Sequence, residues 1–168
     1  KNTNNYKRVL FTQTIYKNFN YSFDINNEFY QIYFQYHFFE LLHKRGFKIT
    51  LKPHPGCNLN INKIYFPKLA EELSKFESIY NDYDIIIFDY ANTSCLTQCL
   101  KSNRPILIID HENVKLYQNV KSKLQKRVEF VTFKKNQFLL PCLDEKQVFK
   151  SIGRSIDKSM NYREFSFL

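Results

Sequence analysis

Short apolar runs recur along the chain, each closed by a polar or proline-containing turn, and stretches with helical spacing lie between them. Arg8-Val9-Leu10-Phe11-Thr12-Gln13-Thr14 is β-prone and ends in small polar residues. Residues 16–27 are asparagine-rich without a helical period and read as a loop at the same sheet edge. Residues 28–45 read as a helix that Gly46 is placed to end. On it Tyr30, Phe34, Phe38 and Leu41 form one stripe, while Phe29, Tyr33, Tyr36 and Leu42 cover other sides. A helix apolar nearly all round is expected to be buried on more than one face. The second face would meet either the core alone or a partner domain outside this chain.

Residues 47–52 alternate apolar and polar, as a strand does, and run into Pro53-His54-Pro55-Gly56. The prolines fix the backbone on both sides of His54, and Gly56 permits a positive φ. Residues 58–64 read as loop and 66–76 as a helix, with Pro67 in its first turn. Ile85-Ile86-Ile87-Phe88 is a strand-like run broken by Asp89-Tyr90-Ala91-Asn92-Thr93-Ser94, and a helix over 95–101 leads to Pro105-Ile106-Leu107-Ile108-Ile109. Strand, polar turn, helix, strand is the unit that forces parallel pairing. A loop and basic helix over 111–126, a strand over 128–133 and a closing helix over 143–159 complete the chain. Asp144 is its expected N-cap, with Gln147 completing a capping box. The alternation predicts one α/β layer sandwich: a parallel sheet flanked by helices.

With 168 residues, 43% hydrophobic and 17% aromatic, the chain has enough apolar material for one domain with a real core, which excludes intrinsic disorder. The only methionine is Met160 and the first residue is Lys1, so the chain is expected to be a piece of a longer protein. The net charge of +9 suits nucleic acid, anionic lipid or phosphorylated metabolites. The basic residues are densest over 115–135, where a solvated surface is expected. Tyrosines and phenylalanines are spaced for a core rather than a stacking platform, so nucleic-acid binding is not expected. Cys57, Cys95, Cys99 and Cys142 form no Cys-x-x-Cys pair and read as reduced core thiols of a cytoplasm-like compartment. No apolar run approaches the roughly 18 residues of a membrane span.

Two turns carry candidate chemistry. His54, between prolines and near Lys52, would be held at the carboxyl edge of the sheet. There its imidazole or the Lys52 ammonium would stabilise phosphate charge; the alternative is a turn whose histidine only bonds a carbonyl. Thr93 and Ser94 begin a helix whose free amides favour an anion, against simple capping by Asn92 or Thr93. Asp89 would repel a phosphate and is expected to order the turn by accepting backbone N–H bonds. Asp82-Tyr83-Asp84 precedes its strand, at the wrong end of the sheet for a ligand, and no catalytic metal is expected. With three glycines the chain carries neither a Walker loop nor a Gly-x-Gly-x-x-Gly fingerprint. His37 and His43 are expected to be packing residues of the aromatic helix.

Lys52-Pro53-His54-Pro55-Gly56, then Asp84-Ile-Ile-Ile-Phe-Asp89-Tyr90-Ala-Asn-Thr93-Ser94, then Asn103-Arg104-Pro105-Ile106, resembles the C-terminal half of GT-B transferases. The similarity is to bacterial surface-carbohydrate enzymes: CDP-glycerol glycerophosphotransferases, capsule Kdo transferases and sialyltransferase-like proteins. It implies a Rossmann-like parallel sheet flanked by helices, one half of a GT-B fold. It also implies a metal-independent glycosyl- or glycerophosphate-type transferase of polysaccharide synthesis. His54 would meet the donor phosphate as catalytic residue. Lys52, Gly56, Asn92, Thr93 and Ser94 would bind the donor, with Pro53, Pro55 and Asp89 shaping the site. No cofactor is implied beyond a nucleotide-activated donor, CMP- or CDP-linked. The partners implied are the missing N-terminal domain, without which the chain would be inactive, and the inner face of a membrane. Asn92-Thr93-Ser94 departs from the paired serines of those families. A non-catalytic nucleotide-binding or interaction domain and a nucleotide-sugar 2-epimerase half are the alternatives.

Overall fold

The apolar runs pair into one sheet. The computed structural model describes residues 7–13, 28–56, 59–91, 93–111, 116–138 and 140–165. The strands are β1 (Arg8–Thr12), β2 (Lys48–Lys52), β3 (Ala70–Glu71), β4 (Ile85–Phe88), β5 (Ile106–Ile109) and β6 (Glu129–Val131). They form a 6-stranded sheet in the order β3-β2-β1-β4-β5-β6, every pairing parallel. The chain winds outward from β1 to β3, crosses back to β4 and winds the other way, which is the doubly wound, Rossmann-like arrangement. Helices α1 (Glu28–Lys44), α2 (Leu59–Tyr65), α3 (Phe76–Ile79), α4 (Ser94–Leu100), α5 (Gln118–Leu124) and α6 (Glu145–Lys158) make the returns. Among the described helices none is long and apolar enough to cross a membrane.

Strand alternation sorts the core into two layers. Val9, Phe11, Ile49, Leu51, Ile85, Ile87, Leu107, Ile109 and Val131 face α1 and α6. Leu10, Ile86, Phe88, Ile106, Ile108 and Phe130 face α3 and α4. Because β4 and β5 are buried on both faces, they read as unbroken apolar runs. Glu129, on the α6 side, is buried against Arg154 at 2.8 Å and Lys158 at 2.6 Å.

Helix α1 ends as expected. Gly46 has φ +81°, its N–H reaches His43 O at 2.9 Å, and Phe47 N–H reaches Leu42 O at 3.2 Å, a Schellman closure with Leu42 and Phe47 both in the core. Phe34, Phe38 and Leu42 are fully buried, but Phe29 and Tyr36 are exposed. His37 and His43 are exposed too, rather than packing residues, and His37 lies edge-on to Tyr33 at 4.4 Å.

Several expectations need correction. Residues 59–65, expected as loop, are α2, and 66–76 form a turn, β3 and the start of α3 instead of a helix. Pro67 disfavours helical backbone at Phe66, so it ends the preceding helix rather than opening the next. A small antiparallel hairpin of β7 (Lys134–Lys135) and β8 (Pro141–Cys142) follows β6. It carries Cys142 to the surface, and Cys95 is half-buried, so of the described cysteines only Cys99 is a core thiol. Asp144 does cap α6, accepting Gln147 N–H at 3.1 Å, but the Gln147 side chain reaches Thr132 Oγ1 at 2.6 Å instead of closing a box. Gly46 is the glycine with positive φ; Gly56 is not, and a Cβ there would meet only the His54 ring, at 3.5 Å.

Candidate functional site

In a doubly wound sheet the crevice opens beyond the carboxyl ends of the strands where the winding reverses. Here that is between β1 and β4, which pair directly, with Asp89 N–H donating to Thr12 O at 3.0 Å just past the last pair. The predicted turns flank this point. Pro53-His54-Pro55-Gly56 leaves the carboxyl end of β2, and Thr93 and Ser94 follow β4 into α4. All therefore lie at one edge, separated by β1, a span of about 10 Å. A ligand touching both turns must lie across the end of β1. The predicted Asn92 and Cys57 lie outside the described residues.

The His54 turn has a defined chemistry. Gly56 N–H donates to His54 Nδ1 at 3.0 Å. An imidazole that accepts at Nδ1 carries its proton on Nε2, so the exposed ring offers a neutral N–H donor. In place of the alternative bond to a carbonyl, its partner within the turn is an amide N–H. Lys52 points to the opposite face from Leu51, half-buried. The Glu72 carboxyl is held below its ordinary range by hydrogen bonds from Ser74 above all, and the Lys52 ammonium adds to the lowering. The Lys52 charge is thus partly met by protein groups.

At the start of α4, Thr93 is the N-cap, its Oγ1 accepting Cys95 N–H at 3.3 Å. The capping alternative accounts for this oxygen, while Ser94 is exposed on the first turn. The far end of α4 is closed by Arg127, fully buried, whose guanidinium donates to carbonyls of Cys99, Leu100, Ser102 and Arg104. Burial lowers its pKa to about 10. This residue lies within the basic stretch expected to be solvated. Asp84, at the amino end of β4, accepts the N–H groups of Lys7 and Arg8 at 3.0 and 2.8 Å, far from the ligand edge.

A buried polar network at the carboxyl edge was not anticipated. Continuing the α1-facing alternation of β1, β4 and β5 by one step past Phe11, Ile87 and Ile109 arrives at Gln13, Asp89 and His111. All three are buried. Asn62 and Gln13 exchange amide bonds at 2.9 and 2.8 Å, and Gln13 Nε2 also donates to Gln35 Oε1 at 3.2 Å. Gln35 Nε2 donates to Asp89 Oδ2 at 2.9 Å, and His111 Nε2 meets Asp89 Oδ1 at 3.0 Å. Asp89, expected to gather backbone amides, instead joins α1 to the end of β5 through side-chain donors. The signal that finds these residues is a polar side chain at the next in-facing position after an apolar strand. Among the described residues no cluster of three metal-ligating side chains forms.

A separate cleft of about 400 Å³ runs along the edge strand β6, where Lys121 pairs with Asp110, and Arg154 and Lys158 with Glu129. Its lining sets three cations, Lys121, Arg154 and Lys158, against two carboxylates, Asp110 and Glu129.

Fold and edge together define an α/β protein of the Rossmann-like type. No model of a known protein family matches the sequence, and no curated protein matches it.

Proposed function

We propose that the chain is the donor-nucleotide-binding half of a metal-independent glycosyl- or glycerophosphate-type transferase in surface polysaccharide synthesis. The observation that carries this reading is His54. Its ring is fixed by Gly56 N–H, leaves an exposed Nε2–H donor, and stands at the same sheet edge as Ser94, across the crossing point of the fold. Donors arranged in advance around a departing nucleotide phosphate stabilise its developing charge. The acceptor hydroxyl would attack the sugar or polyol-phosphate centre while the bond to the nucleotide breaks. The net charge of +9 suits an anionic donor and the acidic inner face of a membrane.

Calorimetric titration with CMP, CDP and UDP tests the reading. Binding to at least one is expected, weakened about tenfold or more in His54→Ala, as for a lost hydrogen bond to a charged group. No binding to any of the three would sink it. A domain that binds the nucleotide without reacting is the second reading, favoured by the commitment of Thr93 to capping α4. Turnover of the donor in a protein carrying both halves separates the two.

A further inference from the structure

The carboxyl edge is chemically two-sided. Toward β2 its open group is a donor, His54 Nε2–H. Toward β5 it is an acceptor. Asp89 is fully buried and accepts a hydrogen bond from His111 Nε2–H, and a neutral histidine that donates from Nε2 leaves a lone pair on Nδ1. Among the described residues nothing hydrogen-bonds that nitrogen, although the ring is only 8% exposed.

Two aromatic rings and one carboxylate hold the ring in place. Phe34 of α1 and Phe133 after β6 stand edge-on to it, each at 5.6 Å. Among the described residues Asp89 is the titratable group bonded to it, and its second oxygen is occupied by Gln35. Asp110, next in the chain, is turned to Lys121 at 2.6 Å. A ring flip would move the proton away from a buried carboxylate, so the orientation is locked. A ring serving packing alone has no need of a carboxylate to orient it, nor of an open nitrogen.

We infer that Nδ1 of His111 is a recognition point for a ribose hydroxyl of the bound nucleotide; this rests on the nucleotide reading above. An acceptor nitrogen on a ring bonded to a buried carboxylate repels phosphate oxygens and matches an O–H group. A nucleotide whose phosphate lies toward His54 and Ser94 turns its ribose toward β5, where that acceptor stands.

A binding cycle tests this with CMP and 2′,3′-dideoxy-CMP as probes, on the wild type and on His111→Phe. The phenylalanine keeps the ring packed against Phe34 and Phe133 and carries neither donor nor acceptor. The wild type is expected to prefer CMP by about tenfold, the value of one hydrogen bond, and the preference should vanish in the variant. An equal preference in both proteins would overturn the proposal, since a structural role for His111 weakens both ligands alike. If CMP binds and the His54→Ala effect holds, that result leaves the nucleotide reading standing. If neither probe binds the wild type, both fall. Should His111→Phe not fold, the Nδ1 resonance of the ¹⁵N-labelled wild type decides: CMP should move it and the dideoxy compound should not, whereas equal responses refute the assignment.

Discussion

Replacing Arg127 with methionine should cost about 3–4 kcal/mol of stability, and the structure supplies both sides of that figure. The side chain is fully buried, and among the described residues no carboxylate pairs with it. Its partners are carbonyls at the negative end of α4 and in the turn beyond: Ser102 O at 2.6 Å, Arg104 O at 2.7 Å, Leu100 O at 3.2 Å and Cys99 O at 3.4 Å. The short bonds, made by a charged donor, contribute roughly 2–3 kcal/mol each and the long ones about 1. Against them, burial lowers the guanidinium from its ordinary value to about 10, so holding it charged costs roughly 3 kcal/mol. Methionine fills most of the volume and removes that cost, but it strands the carbonyls. The net loss should lower the melting temperature by about 10 °C for a chain of this size. Urea unfolding at pH 7, followed by far-ultraviolet circular dichroism, measures it. A variant within about 1 kcal/mol of wild type would mean that burial of the charge outweighs its bonds, refuting the view that Arg127 holds α4 in place.

The other consequences are smaller. Gly46→Ala adds a Cβ with nothing within 4 Å of it, at φ +81°, so the loss should be conformational strain alone, about 1 kcal/mol; a loss above about 3 kcal/mol in urea unfolding would contradict this. Burial, with Cys95 second, raises the Cys99 thiol well above its ordinary 9.0, so the unfolded chain ionises first. That contribution to stability is intact below pH 9 and should fall by up to about 1.4 kcal/mol per pH unit above it; equal slopes for wild type and Cys99→Ala between pH 9 and 10 would show the account to be wrong. In a native-state thiol titration, the exposed Cys142 should react and Cys99 should not.

What could be read in advance was whatever local pattern determines. Ile85-Ile86-Ile87-Phe88 and Ile106-Leu107-Ile108-Ile109 are unbroken apolar runs because each strand is covered on both faces, and their separation by α4 implies parallel pairing. Gly46 marks its helix end because only a left-handed residue closes the turn there. What escaped was set by distant partners. Asn62 carries a loop signal in isolation, yet it sits in α2 because Gln13, from another element, satisfies its amide. Arg127 looks like one more cation of a basic surface until the carbonyls of a preceding helix surround it. The carboxyl-edge turns were legible from their prolines and hydroxyls. His111 was not, because its role depends on Asp89, a strand away.

The network behind that edge is hard to explain by stability alone. Apolar side chains at Gln13, Gln35, Asn62, Asp89 and His111 would pack with no partners to satisfy, and buried polar or charged groups rarely outperform them. What the polar set adds is placement. Each bond demands a partner within hydrogen-bonding distance, so the ends of β1, β4 and β5 are tied to α1 and α2 at fixed separations. Those ends carry the turns around the crossing point of the sheet. Groups that recognise a ligand by directed bonds lose affinity when displaced by fractions of an ångström, which gives an edge that binds a reason to be held this way. An edge that only closed the core would have no such need.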